Sequence, residues 1–374
     1  MSRQRALDNI WLRPTARWGH TEYSLDYHTD YLTRRTGLPA DDPAFGRAVH
    51  DLFGFDFLWS TDDGLVQWEK TGRTCDMGHG VYAADASDQR PPSECPFCSA
   101  EEVWEFDAVG EYGLPDFEEQ VADYESKIQR AREEWPNQLT TGGYYRTIVS
   151  GAIAAFGWEM FLLAAADRAR MEAVFDGFFR RALFHMRAWA ETSVEAVILH
   201  DDIVWTSGGF LHPDVYRKVI IPRYAELSKP LHEAGKKVLF CSDGNFMEYA
   251  GDVAEAGADG FIFEPCNDFG FMVDNFGRTK CLVGSFVDCR DLTLGKWEKV
   301  RADLDRTFER LADCRGAILA VGNHLPPNIP EFMLDRYFEH LLPGLERKPG
   351  AADRPRQSRQ NSPPFTSPLR HPGS

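Results

Sequence analysis

Histidine and aspartate side chains close one of the apolar runs in the second half of the chain. His200 is the last residue of the run 196–200, and Asp201 and Asp202 follow it directly. Carboxylates are costly to bury beside apolar residues, so this cluster indicates either a functional site or the start of a helix. We predict His200 and Asp202 as catalytic residues and Asp201 as a substrate-binding residue.

Metal-capable side chains end three further runs. Cys241 and Asp243 are two residues apart, and on an extended segment this spacing points both side chains to one face, where a thiolate and a carboxylate can hold zinc. Glu264 follows the apolar residues 261–263 and needs a partner, a metal or a substrate beside it, and His324 follows the last run. We predict Cys241, Asp243, Glu264 and His324 as metal ligands. For the cysteine alone, a buried and inert thiol is the alternative.

A glycine pair and three large polar side chains lie within residues 140–146, the segment in which the earlier apolar run 138–144 ends. Two glycines let the backbone come close to a ligand, and tyrosine and arginine can grip an anionic or aromatic group. We predict Tyr145 as a catalytic residue and Tyr144 and Arg146 as substrate-binding residues, together with Asn245 at the end of a later run. A turn with surface aromatics is the alternative.

A second set of thiols lies in the first third of the chain. Cys95 and Cys98 have the spacing of paired ligands in a zinc knuckle, and Cys75 with His79 would supply the other two ligands. The Cys-x3-His half is the weaker pattern. Ordinary loop thiols are the alternative.

Short apolar runs that alternate with amphipathic stretches must position these groups. This alternation is typical of a parallel sheet covered by helices, and we predict a (β/α)8 TIM barrel whose strands end at one common mouth. The segment near Asp56 and the six runs supply seven strands, and the eighth is not evident. A doubly wound open sheet would need a glycine-rich turn after its first strand, which is absent. The runs span 138–144, 196–200, 237–241, 260–264, 281–286 and 317–321.

Composition bounds the domain organisation and the partners. We predict one barrel domain over 1–345, with an irregular elaboration at 1–136, and a disordered tail at 346–374 that is poor in apolar residues. The net charge of −17 argues against a nucleic-acid or anionic-membrane partner, both of which need a basic face. Because neither a membrane-spanning run nor a secretory signal is evident, we expect a cytoplasmic protein that acts on a small molecule.

Several short segments resemble, in order, the C-terminal half of the uroporphyrinogen decarboxylase superfamily. The resemblance runs from about residue 140 to 343 and implies an α/β barrel. It also implies one of two chemistries: cofactor-free decarboxylation of porphyrinogen acetates, or zinc-dependent methyl transfer between corrinoid proteins and a thiol or similar acceptor. The segments are 200–202, 241–245, 257–260 with 263–265, 282–284 and 322–330.

The resemblance favours the methyltransferase branch. The arginine-rich motif of the decarboxylases is not found, and Arg13 and Arg17 are at best its remnant. In the other branch the zinc ligands fall on Cys241, Asp243 and Glu264, and the distant ligand falls on Asn323 beside His324. The resemblance thus implies zinc, and cobalamin carried by a partner corrinoid protein, since no cobalamin-binding pattern is present. A metal-free decarboxylase of carboxylated aromatics and a non-catalytic binding barrel are the alternatives.

Overall fold

Eight short strands form the centre of the fold in this computed structural model, which describes residues 2–60, 68–75, 81–82, 88–89, 94–322 and 324–347. The strands are β1 (Gly19–His20), β2 (Phe57–Leu58), β3 in two segments (Leu139–Thr140 and Gly142–Tyr144), β4 (Ala196–His200), β5 (Lys237–Ser242), β6 (Gly260–Phe263), β7 (Cys281–Val283) and β8 (Ala317–Leu319). All six predicted runs contain a strand.

Parallel pairing closes these strands into a cylinder. Each strand from β3 to β8 pairs with the next, β8 pairs with β1, and β2 pairs with the first segment of β3. The Asp56 N–H donates to the His20 carbonyl at 2.9 Å and joins β1 to β2. The predicted (β/α)8 barrel is confirmed, and β1 is the strand that the sequence left unplaced.

Helices fill the connections and cover the outside of the barrel. They are α1 (Ser2–Ile10), α2 (Thr29–Thr36), α3 (Phe45–Leu52), α4 (Trp68–Thr71), α5 (Ala100–Trp104), α6 (Ala108–Tyr112), α7 (Phe117–Glu134), α8 (Val149–Ala165), α9 (Arg168–Ala190), α10 (Pro213–Val215), α11 (Ile221–Glu233), α12 (Ala250–Glu255), α13 (Phe269–Phe276), α14 (Cys289–Thr293), α15 (Trp297–Leu311) and α16 (Glu331–Gly344). A 3-10 turn at Leu25–His28 and a π turn at Tyr216–Ile220 complete the helical segments.

Local capping explains where two of these helices begin. The Asp116 carboxylate caps α7 by accepting from the N–H groups of Glu118 and Glu119. The Asp167 carboxylate caps α9 by accepting from the Arg170 N–H, so α9 begins soon after α8 ends.

Apolar side chains fill the barrel and α1 seals one end of it. Ile198, Leu239 and Ile318 belong to the interior cluster, and Ala6 and Ile10 of α1 pack into the same cluster. The α1 helix thus closes the barrel at the amino-terminal end of the strands. The carboxyl end remains as the place where a ligand can meet the strand termini.

The terminal regions contribute to the barrel domain. Residues 1–136, predicted as an irregular elaboration within that domain, supply β1 and also β2, the strand predicted near Asp56. Arg347, predicted as tail, donates its N–H to the Ala16 carbonyl and places its guanidinium 3.8 Å from the Trp18 ring. Residues 348–374 lie outside the described part of the chain. Among the described residues, no helix has both the length and the apolar character needed to cross a membrane.

Candidate active site

Two neighbouring strands bring the central polar group together at the barrel mouth. β4 ends at His200, which pairs in register with Cys241 of β5, so the residues that follow both strands share one edge. His200 Nε2 lies 3.1 Å from Asp202 Oδ1, and the Asp243 N–H donates to the same oxygen at 2.9 Å. Ligand atoms of His200, Asp202 and Asp243 all lie within 4.8 Å of one another.

Hydrogen-bond donors fix the Asp202 carboxylate in place. The Tyr145 hydroxyl donates to Oδ2 at 2.9 Å, and the Tyr145 ring packs against His200 with centroids 4.3 Å apart. Burial opposes ionisation of this carboxyl, but His200, the Asp243 N–H and the Tyr145 hydroxyl outweigh it and hold the pKa of Asp202 below its ordinary value. The group is therefore an oriented, ionised acid at neutral pH.

The imidazole of His200 has capacity for one more partner. Its Nε2 atom contacts Asp202, whereas its Nδ1 atom is buried and finds no hydrogen-bond partner among the described residues. A buried polar atom without a partner costs about 1–3 kcal/mol. A cation or a substrate group bound at this imidazole would offset that cost.

Two of the predicted metal ligands stand beside this group. Cys241 is buried, and burial and then the charges of Asp243, Asp202 and Glu264 raise the pKa of its thiol well above the ordinary value. The thiol is therefore neutral unless a cation reverses that balance. Glu264 accepts a hydrogen bond from the Gly244 N–H at 2.7 Å, so its carboxylate faces the turn that carries Asp243.

An aromatic wall lines the opposite side of the mouth and comes from the loops after β1 and β2. Tyr23 stacks on Trp59 with centroids 4.8 Å apart and contacts the ring of His324 at 4.6 Å. The ring centroids of Trp59 and His200 lie 6.3 Å apart. His324 Nδ1 lies 2.6 Å from the Ser24 hydroxyl. Sequence reasoning missed Tyr23 and Trp59. Trp59 could have been found, because it directly follows the run near Asp56.

The structure therefore places the four predicted metal ligands at one mouth but groups them differently. Cys241, Asp243 and Glu264 lie on adjacent strand ends, and His324 belongs to the aromatic wall. Within the described residues, the compact His/Asp group shares only Asp243 with the predicted set. The four-residue ligand set stays a prediction. Asn323 lies outside the described residues.

Tyr144, Arg146 and Asn245 were predicted to bind substrate, but the contacts observed for them are with other parts of the protein. Tyr144 is fully buried and stacks on His185 of α9, with centroids 4.4 Å apart. Arg146 is 2% exposed and lies over the Trp68 ring at 4.7 Å. Both side chains are located in the helix-facing layer behind the mouth. Asn245 caps its own turn, because its Oδ1 accepts from the Met247 N–H.

Asp201, the fourth predicted substrate-binding residue, is buried and caps a helix. Its carboxylate accepts from the N–H groups of Ile148, Val149 and Ser150 at the start of α8, and from the Tyr224 hydroxyl. Complete burial still outweighs these bonds and raises the pKa of Asp201. The substrate role predicted for Tyr144, Arg146, Asp201 and Asn245 stays a prediction, and the observed contacts give each of them a structural role.

The predicted glycine pair also has a packing reason. A Cβ atom at Gly142 would lie 2.6 Å from the Trp189 ring, and the Trp189 indole N–H donates to the Gly143 carbonyl. The glycines thus admit a tryptophan of α9 against the back of β3. The close approach that these glycines allow is that of the Trp189 side chain.

Comparisons with known proteins agree with the barrel. The family model described as Uroporphyrinogen decarboxylase (URO-D) matches residues 49–341. Among solved structures, a methyltransferase from Methanosarcina mazei is similar, with a TM-score of 0.63, 16% sequence identity and coverage of 92% of this chain and 97% of that one. At this identity the likeness concerns the fold. No curated protein sequence matches the chain.

Proposed function

The chain belongs to the uroporphyrinogen decarboxylase family, and from that premise we propose that it is a metal-dependent methyltransferase or demethylase. It would move a methyl group between a small substrate and a corrinoid protein or a thiol acceptor. The observation that carries the proposal is the convergence of His200, Asp202 and Asp243 at the barrel mouth. The methyltransferase with a similar fold is consistent with it.

The donor set suits a zinc ion. One imidazole nitrogen and two carboxylate oxygens are ligands that zinc accepts in catalytic sites, where a further position stays open for water or substrate. Among the described residues, none hydrogen-bonds to the buried Nδ1 atom of His200, which leaves this imidazole nitrogen available to a ligand. His200, Asp202 and Asp243 would therefore hold the ion, with Cys241 and Glu264 beside it.

A bound zinc ion supplies a Lewis acid that lowers the pKa of a thiol, hydroxyl or water coordinated to it. The side chains of the chain supply position and charge. Tyr145 orients the Asp202 carboxylate, and Asp202 in turn fixes the position of the His200 imidazole. Tyr23 and Trp59 offer apolar surface that positions a methylated substrate and excludes water.

The decarboxylase alternative is less favoured by the distribution of charge. Arg13 and Arg17 precede β1 and so belong to the sealed end of the barrel, where they pair with Asp8 and Glu346. Arg146, the cation predicted at the mouth, lies instead over an indole ring. The acids at the mouth would repel a polycarboxylate, which methyl transfer does not require.

Methyl transfer from free methylcobalamin to a panel of small thiols tests the proposal. The assay compares zinc-loaded protein, chelated protein and the Asp243→Asn variant, with Asp41→Asn as the matched surface control. We expect transfer with zinc, its loss on chelation and in Asp243→Asn, and full transfer in Asp41→Asn. Transfer that survives chelation, or release of CO2 from carboxylated aromatics by chelated protein, contradicts the proposal.

A further inference from the structure

Three cysteine side chains lie near one another beside the backbone of α8. Cys75 follows α4, and Cys95 and Cys98 precede α5, so two separate segments contribute them. The Cys95 thiol hydrogen-bonds with the Cys75 thiol and lies within electrostatic range of Cys98. Two of the three, Cys95 and Cys98, are exposed, while Cys75 is buried.

The backbone of α8 forms the floor beneath these thiols. The Cys75 N–H donates to the Ala155 carbonyl at 2.9 Å, and the Cys95 Sγ lies 3.1 Å from the Phe156 carbonyl oxygen. At Gly157 the helix leaves its regular path with φ +70°, and a Cβ atom there would lie 2.8 Å from Cys75 Sγ. The kink and the glycine make room for the thiol.

An apolar anchor fixes the turn that carries the paired cysteines. Phe97 stands between them in sequence, is 3% exposed and packs edge-on against Phe106 and Phe156. The flanking thiols remain near the surface although cysteine is normally among the most buried residue types. Packing therefore accounts for Phe97 but not for the two exposed thiols.

A short strand pair lies between the thiols along the chain. An antiparallel strand pair, Val81–Tyr82 with Asp88–Gln89, separates Cys75 from the Cys-x2-Cys turn in the chain. The Cys-x2-Cys spacing of Cys95 and Cys98 is the spacing of paired ligands in structural zinc sites. The predicted partner His79 lies outside the described residues, so three thiols remain as the described candidate ligands.

We propose that Cys75, Cys95 and Cys98 bind a structural zinc ion that ties both segments to α8. Binding converts each thiol to a thiolate, forms three Zn–S bonds and releases three protons to solvent. Cys98 must turn toward the Cys75–Cys95 pair, since only that pair is in direct contact. The ion is independent of the metal proposed at the barrel mouth.

X-ray absorption at the zinc edge tests this site on the full chain purified under reducing conditions. Zinc content is measured beside it in wild type, Cys95→Ser/Cys98→Ser, Asp243→Asn and the control Cys289→Ser, which alters a half-buried thiol outside the cluster. We expect about three sulfur neighbours per zinc near ~2.3 Å in Asp243→Asn, whose mouth site is disabled, and the same Zn–S distance with a lower average sulfur number in wild type and Cys289→Ser, whose mouth also holds zinc. The double variant should lose this signal and one equivalent of zinc, whatever happens at the mouth.

Three results would overturn the proposal. They are wild-type protein whose zinc lacks sulfur neighbours, a sulfur-ligated zinc that persists in the double variant, and a Cys75–Cys95 disulfide in protein kept reduced. If the double variant does not fold, the wild-type and Asp243→Asn spectra decide alone. A single sulfur neighbour that disappears in Cys241→Ser would assign the zinc to the mouth and refute this second site.

Discussion

Two pairs of adjacent residues, 144–145 and 201–202, divide between the barrel mouth and the helix layer behind it. Tyr145 and Asp202 bond to each other in the mouth. Their neighbours Tyr144 and Asp201 point outward, where one stacks on a histidine of α9 and the other caps α8. Successive residues at a strand end face opposite sides, so one member of each pair serves the site and the other the fold.

The two acids show how differently the same group is used. Neighbouring donors and His200 keep the pKa of Asp202 low, so it carries charge into the mouth. Burial raises the pKa of Asp201, whose oxygens are occupied by the first N–H groups of α8. Substitutions in the two positions should therefore separate metal binding from stability.

The largest effect is expected from Asp202→Ala. Removing this carboxylate takes away one proposed ligand and the group that orients His200, so zinc affinity at the mouth should fall more than about 100-fold. Competition with a chromophoric chelator measures the affinity. A melting temperature close to that of wild type is expected alongside, and unchanged zinc affinity would show that Asp202 does not belong to a metal site.

Asp201→Ala should show the opposite pattern. It leaves three backbone N–H groups and the Tyr224 hydroxyl without their acceptor, so the free energy of unfolding should fall by about 2 kcal/mol. Urea denaturation measures this loss. Zinc affinity of the folded variant should stay near the wild-type value, and a selective loss of zinc with full stability would place Asp201 in the site after all.

Tyr145→Phe should shift the loss of zinc binding at acid pH to a higher pH. The hydroxyl donates to ionised Asp202, so its removal raises the pKa of that carboxyl. Because protonated Asp202 cannot bind zinc, binding that disappears as the pH falls should disappear at a higher pH, by less than about one unit. Zinc titrations between pH 4 and 8, a range set by the ordinary carboxyl and imidazole pKa values, follow the shift. Tyr144→Phe is the matched control and should leave this pH unchanged.

The smallest effect is expected at the aromatic wall. Trp59→Leu removes an aromatic surface but no proposed ligand, so KM for methylcobalamin should rise by less than about tenfold at unchanged zinc content. Steady-state kinetics measure KM. Trp205→Leu, at an exposed tryptophan, serves as the control. Loss of zinc from Trp59→Leu would mean that the wall supports the metal group directly.

Much of the fold could be predicted because apolar runs of β3 to β8 are long enough to alternate with helices. β1 could not, since two residues carry no periodicity, and its position depends on pairing with β8. Tyr23 of the aromatic wall could not be predicted for the same reason, because it comes from the loop after this unrecognised strand.

The site could be predicted only to the level of strand ends. Sequence correctly indicated that His200, Asp202 and Asp243 stand where strands finish, but which of two adjacent residues faces inward depends on the phase of a short strand. Pairing register decides it, by setting His200 beside Cys241. That register lies in contacts between strands about forty positions apart, which local pattern does not record.

Anomalous diffraction at the zinc edge, from crystals grown with zinc, tests the metal site most directly. The proposed zinc site requires a peak at the barrel mouth within about 2.0–2.2 Å of a His200 nitrogen and an Asp243 oxygen. A mouth without a peak, in crystals whose zinc is bound elsewhere or not at all, would contradict it.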